Sequence, residues 1–190
     1  MLKVELGFRL DRSFEYYDRL LRKNGLENDY NCLTHDIYYT NENLDNLTEN
    51  EMKQKCVRLR NVDFNGSYQI QNNKFIKLDS DIILKEELLN FENDLIKKGF
   101  KKVFDTRKSD HHYFKSGMNS KVQLQEIEDI GLLVYYDNSM YYELSLEEQR
   151  KRLIDELNSY GFNFCYDNLG YDKLRSLYYK KDMFSLNQNG

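Results

Sequence analysis

The chain has 190 residues, of which 40% are apolar and 32% charged, and its formal net charge is −4. This length suits one domain with a core of its own, and the balanced charge excludes the basic excess of a general nucleic-acid coat. No apolar run approaches the roughly 20 residues of a membrane-spanning helix, and Cys32, Cys56 and Cys165 are odd in number, far apart and without metal-ligand spacing, so a reduced, cytoplasmic setting is expected.

A first strand is predicted over about residues 2 to 10. Val4, Leu6, Phe8 and Leu10 alternate with Lys3, Glu5, Gly7 and Arg9, the period of a strand with one apolar and one charged face. Because this pattern begins at once, no signal peptide is expected. A helix follows from about Arg12 to Lys23, with Phe14, Tyr17, Leu20 and Leu21 at helical spacing, Asp11 or Ser13 able to cap it, and Gly25 able to end it. Strands are predicted at 33–40 and 55–62, separated by the polar, turn-like Asn41–Asn50, with weaker strand signals at 67–71 and 74–79. In the second of these, Val57-Arg58-Leu59-Arg60 alternates cleanly.

A second helix is predicted from about Ile83 to Lys98, with Leu84, Leu88, Phe91 and Leu95 as its buried stripe and Gly99 as its stop. Strands follow at 100–108, 111–115, 121–127 and 131–137, with a hairpin loop at Lys115–Ser120. Ser145-Leu146-Glu147-Glu148 reads as the capping box of a third helix that ends at Gly161. A last short helix is predicted over Tyr171–Tyr179, before a frayed tail. Helix, glycine and strand recur in that order at LLRKNG, LIKKGF and LNSYGF. No Pro/Gly/Ser linker divides the chain, so a single domain over residues 1–182 and a flexible tail over 183–190 are expected.

Charged strand faces of both signs need bulk water or a charged ligand to offset desolvation. On alternation alone, Arg58 and Arg60 fit a solvated strand face as well as an anion grip. His111 and His112 are adjacent and so point to opposite faces of a strand, which speaks for a surface pair over a metal pair. Tyr135, Tyr136, Tyr141 and Tyr142 could stack a base or serve as half-buried sheet and rim residues. Glu126 and Glu128 alternate away from the presumed ligand side, and Cys56 reads as a small core residue.

Six pieces in order carry a resemblance to a known family. Phe8 ends the first charged strand, and Asp36-Ile37-Tyr38-Tyr39-Thr40 matches an Asp-x-Tyr-Tyr-Asp strand. Arg58 and Arg60 match an Arg-x-Arg strand, and Gly99-Phe100 matches a Gly-Phe after a helix. Leu124 to Asp137 follows a Leu-Asp-x-Val-x-x-Leu-Gly-x-Phe-x-Glu-x-Glu stretch, and Gly170-Tyr171-Asp172-Lys173-Leu174 is similar to a closing Ser-Tyr-x-Glu-Leu. Over about residues 2 to 180 the chain thus resembles the CYTH superfamily of triphosphate tunnel enzymes, which includes class IV adenylate cyclases and thiamine and inorganic triphosphatases.

The resemblance implies an α+β fold: an eight-stranded antiparallel β-barrel, or tunnel, flanked by helices. It implies a small-molecule triphosphate or nucleotide as ligand, held by Arg58, Arg60, Lys77 and Lys108, with Glu5 and Asp137 holding Mg²⁺ or Mn²⁺. The implied activity is metal-dependent triphosphate hydrolysis or cyclisation of ATP. The alternative is a silent module of the same fold that binds nucleotide or polyphosphate without turnover. An RNA 5′-triphosphatase is a weaker third reading, since the low net charge argues against a nucleic-acid partner. No membrane partner is expected, and pairing of two copies through their sheets stays open.

The departures are specific. Lys3, Glu5 and Gly7 stand where Glu, Glu and Lys are expected, unless a shift by two uses Glu5, Gly7 and Arg9. Tyr135 and Asp137 replace a Glu-x-Glu, Gln125 replaces an Asp, and Asp110 falls where an Arg belongs. Gln69 and Gln71 stand in for a Thr-x-Lys, and Lys77 and Asp79 for an Arg-x-Glu.

Overall fold

In a computed structural model, residues 4–71, 81–117 and 121–164 are described. Lys3, Lys77, Asp79, Cys165, the strand expected at 74–79, the helix expected at 171–179, the Gly170–Leu174 motif and the tail lie outside them. Eight strands form one antiparallel sheet in the order β1-β8-β7-β6-β2-β3-β4-β5. They are β1 (Leu6–Arg9), β2 (Glu27–Thr40), β3 (Val57–Val62), β4 (Ser67–Gln71), β5 (Asp81–Leu84), β6 (Lys101–Phe114), β7 (Val122–Ile127) and β8 (Gly131–Tyr136). Four α-helices accompany them among the described residues: α1 (Phe14–Lys23), α2 (Glu49–Lys55), α3 (Lys85–Lys97) and α4 (Leu146–Ser159). The α+β architecture is the expected one.

The chain divides into two compact units, one drawn from Met1–Asn31 and Ser109–Tyr171, the other built around Cys32–Lys108. In the first, β8 pairs with β1 and β7 so that Leu6 faces Tyr136, Phe8 faces Val134, and Val134 in turn faces Leu124. These residues share a sheet face, because directly opposed side chains do. With Tyr113 and Val122 they pack against Tyr17 and Leu21 of α1 and Leu153, Ile154 and Leu157 of α4. The opposite face of these strands carries Gly7, Tyr135 and Gln123 side by side, in register across β1, β8 and β7.

In the second unit the helix-facing side of the sheet carries Ile37, Tyr39, Val57, Leu59 and Tyr68 against Leu95 of α3. The Tyr39 hydroxyl donates to the Glu92 carboxylate of α3. The other side of β2 and β3 is left to polar residues.

Helix ends follow local chemistry. The Ser145 hydroxyl accepts from the Glu148 amide, and the Glu148 carboxylate accepts from Ser145, closing the expected capping box. The three helix–glycine junctions share one geometry, though after α4 residues 162–164 form no strand. After α4, Gly161 donates to Asn158 at 2.9 Å and Phe162 to Leu157 at 3.2 Å, with Gly161 at φ 98°. This is the left-handed termination that a Cβ would strain, and α1 and α3 end the same way at Gly25 and Gly99.

Four boundaries differ from expectation. The turn-like 41–50 segment contains the start of α2, because Thr48 and Glu51 form a capping box. Residues 81–84 form β5 instead of the start of a helix, because they pair with β4 from Ser67 to Ile70. β2 begins at Glu27 instead of 33, and β6 runs unbroken from Lys101 to Phe114 through the expected gap. No helix among the described residues is long and apolar enough to cross a membrane.

Candidate anion-binding site

In the second unit, Asp36 of β2 stands opposite Arg60 of β3, and Tyr38 stands opposite Arg58. β4 continues these rows with Gln69 opposite Arg60 and Gln71 opposite Arg58. All six side chains therefore share the face turned away from α3. Arg60 grips Asp36 with both prongs, Nε to Oδ1 at 2.7 Å and Nη2 to Oδ2 at 2.8 Å. Lys108 of β6 reaches the same Oδ2 with its Nζ at 2.5 Å, and Arg58 Nη1 lies 3.9 Å from it. The Asp36 and Lys108 side chains are 0% and 1% exposed, whereas Arg60 and Arg58 keep 23% and 28%. Two heads are thus partly open to solvent and one is sealed in.

Burial alone would push the Asp36 carboxyl up. The Arg60 hydrogen bond and the charges of Lys108, Arg60 and Arg58 outweigh it and hold the group well below the ordinary carboxylate range. Tyr38 is pushed up to about 12, by burial first and then by the Asp36 charge, so its hydroxyl keeps its proton at neutral pH.

The depressed Asp36 value fixes the sign of a pH effect. Its contribution to stability is fully present above the unfolded carboxylate value of 3.8 and is lost as pH falls below it. Urea midpoints compared at neutral pH and at about pH 3 should therefore fall more steeply for the native chain than for Asp36→Asn. Equal losses in both would show that Asp36 does not carry this linkage.

Of the four residues expected to bind phosphate, Arg58, Arg60 and Lys108 come together here, and Lys77 lies outside the described residues. Asp36, around which they gather, enters the sequence analysis only as part of a strand motif. Its role was legible in principle: a lone acid alternating with Thr34, Tyr38 and Thr40 on one strand faces the Arg-x-Arg of the next.

Glu5 and Asp137, expected to hold a metal, line one cavity of about 290 Å³ in the first unit. Lys121, Gln123, Tyr135 and Tyr142 also line it. The residues present do not fit a resident Mg²⁺ or Mn²⁺. Tyr135 occupies the place of a further acid, and the Asp137 carboxylate accepts the Tyr142 hydroxyl at 2.9 Å. Among the described residues, no three His, Cys, Asp or Glu side chains form a group that could hold a metal ion.

Two departures from the family pattern turn out to be neighbours. Asp110 is 4% and Gln125 2% exposed, and the Gln125 side-chain amide donates to Asp110 Oδ1. Gln123 donates to the same oxygen at 2.9 Å. Where the resemblance implies Arg and Asp, an acid and amides now satisfy each other. Glu126 is 52% exposed with His111 at 3.7 Å, while His112 points to the other face of β6 and stacks on Tyr30 at 4.1 Å; both histidines are half-buried in the strand, not at its surface.

No family model matches the sequence, and no curated protein matches it. Solved structures do. A conserved hypothetical protein of Pyrococcus furiosus is 17% identical with a TM-score of 0.60, over 90% of this chain and 96% of that chain. A candidate adenylate cyclase from Vibrio parahaemolyticus is 16% identical with a TM-score of 0.54, over 83% of this chain and 87% of that one. Another from Bacillus halodurans is 10% identical with a TM-score of 0.54, over 93% and 98%. At these identities the likeness is one of fold: the chain has the CYTH-like fold of the candidate adenylate cyclases. Fold alone does not carry an activity.

Proposed function

We propose that this protein binds a triphosphate compound, nucleoside or inorganic, on the partly exposed heads of Arg58 and Arg60, with the buried Lys108 adding its charge from behind and Lys77 adding to the grip. One observation carries the reading: three cationic heads from two strands converge within 4 Å of a single buried carboxylate. The two oxygens of this carboxylate hold Arg60 by both prongs and Lys108 by one. Asp36 accordingly acts as an organiser that holds the heads in place. Phosphate oxygens suit the partly exposed guanidinium forks of Arg58 and Arg60, which match them geometrically and whose charge they offset. Pre-organised donors lose little freedom on binding.

The metal-dependent triphosphatase or cyclase reading is supported by the fold, while Tyr135 in the place of an acid and the Tyr142 hydroxyl on Asp137 count against a metal at Glu5 and Asp137. Calorimetric titration with tripolyphosphate and with ATP, in EDTA and again in Mg²⁺ or Mn²⁺, tests the proposal. Binding in EDTA that weakens with added salt is expected. No binding at low salt under either condition would end it. Release of phosphate, pyrophosphate or cyclic nucleotide that needs metal and is abolished by Glu5→Gln would establish the enzyme instead.

A further inference from the structure

The polar face of the second unit is closed at one side and open at the other. A row of directly opposed residues crosses four neighbouring strands: Asp36 on β2, Arg60 on β3, Gln69 on β4 and Ile82 on β5. Burial falls along that row. The Asp36 side chain is sealed, Arg60 keeps 23% of its side chain exposed, Gln69 is half-buried, and Ile82 is 65% exposed. Leu84, two residues along β5 and so on the same face, is 55% exposed. Ile83 between them turns to the other side, opposite Tyr68, and packs with the core under α3. The cations thus lie toward the closed end of the face, and two bare aliphatic side chains mark its open end.

Neighbouring strands lie about 4.8 Å apart, so Ile82 stands roughly 10 Å from Arg60 across the sheet. An inorganic phosphate chain gripped by Arg58 and Arg60 makes no use of hydrocarbon at that distance. A ligand with carbon attached to its phosphates does. The way toward β2 is closed by the buried Asp36, Tyr38 and Lys108, whereas the way over β4 leads past Gln69 to Ile82 and Leu84. The side chains at this open end discriminate among organic groups. Nucleobases are held by stacking on aromatic rings, and Tyr68, the aromatic residue of β4, turns to the α3 side. Ile82 and Leu84 present only branched hydrocarbon, which suits an aliphatic chain that leaves water by lying along both.

From this we infer that the ligand is a polyphosphate ester of an aliphatic alcohol, with its phosphates on Arg58 and Arg60 and its hydrocarbon chain on Ile82 and Leu84. At roughly 1.5 Å per carbon–carbon bond, a chain of about five carbons or more bridges the width of β4. The inference rests on the anion-binding reading for the phosphate end and adds the chemical class of the other end.

The test is calorimetric titration of the full-length chain, at low salt in EDTA, with inorganic diphosphate, ADP and geranyl diphosphate, and with tripolyphosphate alongside. Geranyl diphosphate should bind roughly tenfold or more tightly than inorganic diphosphate, and more tightly than ADP. The double variant Ile82→Thr with Leu84→Ser keeps a β-branched residue in the strand and puts a favoured cap residue at the N-cap of α3. It should bring geranyl diphosphate down to the affinity of inorganic diphosphate and leave tripolyphosphate binding unchanged, which also reports that the variant is folded. Tripolyphosphate binding without a gain for geranyl over inorganic diphosphate would overturn the inference and leave the anion-binding reading standing. So would ADP binding as tightly as geranyl diphosphate, or a gain that survives the double variant. Failure of tripolyphosphate and of all three diphosphates to bind would end both.

Discussion

Asp36→Asn is expected to cost about 3 kcal/mol of folding stability, and tripolyphosphate is expected to restore part of it. Asparagine keeps the shape and removes the charge, so Arg60 and Lys108 lose the carboxylate they share while staying close together. Breaking a buried ion pair by removing one member typically costs about 3–5 kcal/mol, because the remaining charge stays desolvated. The lower end is expected because Arg58 and Arg60 reach water with 28% and 23% of their side chains. Lys108, at 1%, cannot. An anion placed among the three heads would do what Asp36 did, so the variant should gain more from tripolyphosphate than the native chain does. Urea denaturation with and without the ligand reads both quantities. A variant as stable as the native chain would mean that Asp36 does not organise the cations.

Arg58→Ala is expected to show the opposite balance. It should weaken tripolyphosphate binding by roughly 10- to 100-fold, the worth of about 1.5–3 kcal/mol for a charged hydrogen bond, with little loss of stability. Its head is 3.9 Å from Asp36, against 2.7 Å for Arg60, and its side chain is the most open of the three. Exposed, loosely held ion pairs contribute little to folding. Arg58 is therefore the cation best placed to turn to a ligand. Calorimetry and thermal denaturation on the same preparation separate the two effects. If stability fell and affinity held, Arg58 would be a structural partner of Asp36 only.

Helices α1, α3 and α4 were legible because their signals are local. Ser145 with Glu148, and Gly25, Gly99 and Gly161, act within one turn, and the structure places each where the pattern put it. β5 was not, because Ile82-Ile83-Leu84 is short and apolar and suits the start of a helix as well as a strand. Its pairing with β4 decides, and pairing is not local. The same holds for the site. Alternation puts Arg58 and Arg60 on one face, but only the register of β2 against β3 sets Asp36 opposite Arg60. Asp110 and Gln125 read as two unrelated departures until the structure joins them by a hydrogen bond. Gly7 and Tyr135 became a pair in the same way.

The most direct measurement is a crystal structure of the protein grown with tripolyphosphate in the presence of EDTA. The proposed function requires a chain of phosphates in contact with the partly exposed guanidinium groups of Arg58 and Arg60, on the side of β3 turned away from α3. Tripolyphosphate ordered elsewhere, with Arg58, Arg60 and Lys108 still closed on Asp36 and no phosphate against them, would contradict it.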